Sequence, residues 1–148
     1  MSERAESSQT SDAWKAYQRT MIAPPTLWSA AKDDDVETME TLLSSGADID
    51  ERDARGYSAL MLAAYSGNDR AFDYLLARGA DPDSHDTAGN SVLMGAAFKG
   101  YVGMVGRLVN AGADLETKNH AGVNAVQFAT MFGRADVVEL LRRLGAAA

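Results

Sequence analysis

Acid–base or metal chemistry in this chain would have to come from His85, His120 and the aspartate run Asp33-Asp34-Asp35. His85 precedes Asp86, and a histidine beside a carboxylate is the minimal pairing of a general base with a group that orients it. Adjacent residues in a turn point their side chains apart, however, and no serine stands in a nucleophile motif, so the pair predicts no catalysis. With no cysteine in the sequence, thiolate nucleophiles, disulfides and cysteine-bound metals are excluded together. The three aspartates attract cations but lack the alternating ligand spacing of a calcium loop. Their more natural use is to place negative charge at the start of a helix near Val36, where the dipole favours it. None of the glycines lies in a phosphate-binding pattern. The expectation is therefore no catalytic residue, no cofactor and no metal.

The glycines have a different role, because they repeat. Gly56, Gly89 and Gly122 are spaced by 33 residues, as are Gly67, Gly100 and Gly133, and as are Gly46, Gly79, Gly112 and Gly145. Apolar positions keep the same period: Leu27, Leu60, Leu93 and Val126; Ala30, Ala63, Ala96 and Ala129; Leu42, Leu75, Leu108 and Leu141. A fixed period of this length means stacked supersecondary units. Each unit reads as two short antiparallel helices. Ser58, Ser91 and Asn124 are placed to cap the first helices, which Gly67, Gly100 and Gly133 end. The second helices fall at about 69–77, 102–110 and 135–143. Each is too short to be stable alone in water, so stacking must supply the stability.

The runs GYSALMLAAYSGN, GNSVLMGAAFKGY and GVNAVQFATMFGR, followed by GADPDSHD, GADLETKN or the chain end, resemble ankyrin repeats. The resemblance covers about residues 21–148. It implies an all-α solenoid of about four stacked helix-turn-helix units, with a protein partner bound on the concave face that the turns and first helices form. The family tetrapeptide is altered here to SALM, SVLM and NAVQ, so that Met61, Met94 and Gln127 stand where the family histidine would bridge neighbouring repeats. Methionine replaces that polar bridge with adaptable packing.

The ends read as caps. Along the stack Leu43, Leu76 and Val109 give way to Arg142, and Ser44, Ala77 and Asn110 give way to Arg143, as a last unit without a neighbour requires. The first unit is degenerate, with Pro24 and Pro25 in place of the turn and Asp34 in place of the loop glycine. Before it, Trp14, Tyr17 and Met21 share one helical face. The predicted organisation is a disordered tail over 1–11, an N-terminal capping helix over 12–21, a capping repeat over 22–53, repeats over 54–86 and 87–119, and a C-terminal capping repeat over 120–148.

The 148 residues carry 14 Lys and Arg against 21 Asp and Glu, a net charge of −7. Nucleic-acid phosphates and anionic membranes are therefore disfavoured partners. The polar stretch before Ala23 lacks a signal-like apolar run, and the chain is expected to be a cytoplasmic monomer. Just after the paired alanines, the series Lys32, Tyr65, Phe98, Met131 and, at the next position, Asp33, Ser66, Lys99, Phe132 place large side chains where a groove faces water. The predicted partner-binding residues are Tyr65, Ser66, Phe98, Lys99, Met131 and Phe132, with Arg55, Tyr57, Asn90 and His120 from the turns. Exposed aromatic anchors of this kind are what a binding hot spot requires. Self-association through the same stripe, as an assembly protein, is the alternative.

Overall fold

The computed structural model describes residues 24–146; the tail and capping helix expected over 1–21 lie outside them. The first helix of each unit opens on a small polar side chain that accepts from the amide three residues on. Thr26 accepts from the Ser29 amide, Ser58 from Met61, Ser91 from Met94 and Asn124 from Gln127, at 2.9–3.2 Å. These caps satisfy amides that a helix start would otherwise leave unpaired. They begin α1 (Leu27–Lys32), α3 (Ala59–Tyr65), α5 (Val92–Lys99) and α7 (Ala125–Met131). The second helices are α2 (Val36–Ser44), α4 (Asp69–Ala77), α6 (Val102–Asn110) and α8 (Ala135–Arg143), the last three with the predicted bounds. The first helices pack on one another as an inner row, and the second helices form an outer row behind them.

Within a unit the two helices join through a left-handed residue. Gly67, Gly100 and Gly133 hold φ of +69°, +78° and +69°. Asp34 takes that place in the first unit, with φ of +55°, where a side chain normally costs about 1–2 kcal/mol. Its carboxylate has a compensating role, because Oδ1 accepts from the Ala71 amide at 2.8 Å, in the first turn of α4 in the next unit. Asn68, which precedes α4, makes no side-chain cap for its own helix. Instead its Nδ2 donates back to the Ala31 and Lys32 carbonyls at the end of α1, both at 2.8 Å. Two periods later Arg134 does likewise, its Nε donating to the Phe98 carbonyl at 2.9 Å. Neighbouring units therefore cap each other's helices.

The predicted periodic rows are the core. Leu60, Leu93 and Val126, and Ala30, Ala63, Ala96 and Ala129, are buried along the inner row. Leu75, Leu108 and Leu141 are wholly buried behind them, while Leu42 of the first unit is half-buried. Met61 and Met94 are also buried and pack into this core. Arg142 and Arg143 are exposed on α8. On the outer row Arg107 of α6 reaches back to Asp69 at 2.7 Å and to Asp73, both on α4. Among the described residues no helix is long and apolar enough to cross a membrane.

Candidate functional site

Between units the chain makes the same tight turn three times, built on Asp53, Asp86 and Asn119. In each, one side-chain oxygen accepts from two amides: those of Arg55 and Tyr57 for Asp53, of Ala88 and Asn90 for Asp86, and of Ala121 and Val123 for Asn119, at 2.9–3.0 Å. The carbonyl and amide of the turn close it further, as Asp86 N donates to the Asn90 carbonyl at 3.0 Å. These turns project Tyr57 and Asn90 toward the inner helices. The second turn also carries the carboxylate of Asp86, a residue only 8% exposed.

A groove of about 330 Å³ opens between the turns and the inner row. Tyr57, Asp86 and Asn90 line it from the turns, while Tyr65, Phe98, Lys99 and Phe128 line it from the helices, with Met94 and Gly95 between them. Tyr65 meets Tyr57 edge to face with centroids 5.7 Å apart. The Tyr65 ring lies across α5 at Gly95, where a Cβ would come within 1.8 Å of ring carbon Cε1. Glycine is thus required at 95 by space, since its φ is not left-handed. Burial first, and then the neighbouring Asp86 carboxylate, push the Tyr65 phenol above its ordinary value. It remains a neutral hydroxyl at physiological pH. At the groove mouth the Arg55 guanidinium stands 4.7 Å from the centre of the Tyr57 ring, a cation–π contact.

Toward the C-terminal end the groove runs into an exposed aromatic group. Phe98 and Phe132 meet edge to face at 4.5 Å, and Phe132 stacks with Phe128 at 6.3 Å. Phe98 is 38% exposed, Phe132 45% and the adjacent Met131 65%. A model of ankyrin repeats in three copies matches residues 27–119 and 60–147, nearly all of the described chain. The chain belongs to the ankyrin repeat family. Proteins of this family generally serve as protein–protein interaction modules and are typically not enzymes. No curated protein is similar enough to this ankyrin chain to count as a relative.

Of the ten residues predicted from the sequence, the ankyrin stack gathers Tyr57, Tyr65, Asn90, Phe98 and Lys99 into one groove. Phe132 and Arg55 touch it through the ring contacts above, and Met131 continues the exposed aromatic group. Ser66 and His120 do not line it. Ser66 is the exposed residue that ends α3. His120 lies against Gly89, and its amide donates to the Ala88 carbonyl at 3.0 Å, tying one turn to the next. Sequence reading missed Asp86, Met94, Gly95 and Phe128 in the groove. The signal for two of them was present: one row reads Leu62, Gly95, Phe128, and a glycine in mid-helix flanked by large residues one period away marks space given to something else.

The residues first weighed for chemistry serve the ankyrin framework. Asp34 binds the Ala71 amide, and Asp35 caps α2 by accepting from the Thr38 amide at 3.1 Å. The Thr38 hydroxyl also donates to Asp35, at 2.6 Å, and these bonds hold its carboxyl below the usual range. The His85 carbonyl accepts from Arg52 Nη1 at 3.1 Å. Among the described residues no cluster of three or more His, Asp or Glu is arranged to hold a metal ion.

Proposed function

We propose that the chain is a non-catalytic binding module that captures one protein partner across the groove and the aromatic group beside it, acting as a cytoplasmic monomer. The observation that carries this reading is the contiguity of the exposed Phe98 and Phe132 with the groove, through Phe128. Single exposed apolar residues are ordinary, but a continuous cluster rimmed by polar groups marks an interaction surface. Phe98 and Phe132 support each other edge to face, so they present a rigid surface that loses little entropy when covered. The polar rim is supplied by Lys99, Asn90 and Arg55.

The test is to immobilise the wild-type protein and a Phe98→Asp/Phe132→Asp variant, expose both to extract of the native cell, and identify what each retains by mass spectrometry. The wild type should retain a protein that the variant loses, while both give the same circular dichroism and melting. Retention by the variant would refute the reading. Self-association covers the same surface with a second copy, and light scattering separates the two, since a mass that rises with concentration and falls to that of a single chain in the double variant would favour assembly.

A further inference from the structure

We propose that the groove receives an arginine side chain of the protein partner, its guanidinium held by the Asp86 carboxylate and its stem lying between the aromatic walls. This inference rests on the binding role proposed above and specifies what enters the groove. Three observations carry it.

The first is a buried charge that the fold does not need. Asp86 Oδ1 is used by the Ala88 and Asn90 amides, but Asn119 makes the same two bonds one repeat later with a neutral amide side chain. The turn therefore requires an acceptor oxygen and not a negative charge. Among the described residues Asp86 Oδ2 has only a long 3.4 Å contact from Asn90 Nδ2, and none of the salt bridges involves Asp86. A carboxylate in a residue this covered, at the wall of an aromatic groove, gains from a cation that meets it. The second is the wall chemistry: Tyr57, Tyr65, Phe98 and Phe128 present aromatic surface around the opening. A planar guanidinium stacks on such rings and forks onto a carboxylate, which an ammonium does less well. The protein already seats its own Arg55 on Tyr57. The third is size, because about 330 Å³ is at the bottom of the roughly 300–1,000 Å³ that ligand pockets span and suits one long side chain.

Lys99 on the rim opposes a cation, but it is exposed, so its charge is screened by water and salt. The overall charge of −7 favours a basic approach. Replacing Lys99 should therefore tighten the arginine contact.

The experiment follows backbone amide shifts of the isotope-labelled full chain during titration with Nα-acetyl-arginine methylamide and with its neutral isostere, Nα-acetyl-citrulline methylamide. The arginine compound should move the Gly95, Asn90 and Lys99 amides saturably and bind at least about fivefold more tightly than the citrulline compound. Asp86→Asn should keep the turn, as Asn119 does, and erase that difference, whereas Lys99→Gln should enlarge it. Equal binding of the two compounds, or no movement at Gly95 with either, would overturn the arginine pocket. If the pocket fails in this way while the Phe98→Asp/Phe132→Asp variant still loses the partner, the docking surface stands without it. If that variant keeps the partner, the docking surface itself fails, whatever the titration shows.

Discussion

Gly95 interrupts a row in which Leu62 and Phe128 stand one period to either side, and the Tyr65 ring fills the space a side chain would take. Two effects compete when Gly95 becomes Ala. Helix propensity favours alanine by about 1 kcal/mol, while forcing the ring off its seat and away from Tyr57 costs about 1–3 kcal/mol. Overpacking should win, so Gly95→Ala is expected to lower stability in urea unfolding. In a Tyr65→Ala background the clash is gone and the same substitution should raise stability by up to about 1 kcal/mol. An equal effect in both backgrounds would mean that the ring gives way freely and does not shape the groove. At this scale the sequence was half legible. Tyr65, Phe98 and Phe132 stood out because large apolar side chains recur at positions that face water. Asp86 did not, because an aspartate in a repeated turn reads as turn chemistry, and only the packed structure shows that it lines an aromatic groove.

The helices themselves were legible almost to the residue, since glycines and small polar caps punctuate every unit and the second helices end where the period puts them. The exchange of caps between units was not, because a sequence gives no way to see that Asp34 meets Ala71 or that Asn68 reaches back to Ala31. The first unit's missing glycine is the clearest case. Asp34 accepts left-handed strain and returns a bond to an otherwise unpaired amide of α4. Asp34→Ala keeps the strain that the wild type already carries and loses the bond, and should cost about 1–2 kcal/mol. Asp34→Gly loses the bond but relieves the strain, for a net change within about 1 kcal/mol of wild type. Asp34→Asn retains both a side-chain acceptor and tolerance of positive φ, and should be the mildest of the three. Unfolding midpoints in that order support the compensation, and a glycine variant clearly more stable than wild type would show that the carboxylate contributes nothing.

In a solenoid each unit touches only its neighbours, so stability is shared along a line and the ends are the places to come apart. The N-terminal unit is the weaker end among the described residues: α1 has six residues, Met39 is the one buried side chain in α2, and Leu42 is half-buried where Leu75, Leu108 and Leu141 are wholly covered. Local opening should therefore begin there, and native-state hydrogen exchange should give α1 and α2 a lower opening free energy than α3 to α6. Asn68 is the discriminating position, because its side chain belongs to the second unit while both carbonyls it binds belong to α1. Asn68→Ala removes those two bonds and no cap of α4, so it should lower protection in α1 and α2 by about 1–2 kcal/mol and leave α5 to α8 nearly unchanged. A fall of the same size at both ends would mean that the molecule opens as one cooperative block. The groove, built from the second, third and fourth units, would then share every fluctuation of the N-terminal end instead of staying formed while that end opens.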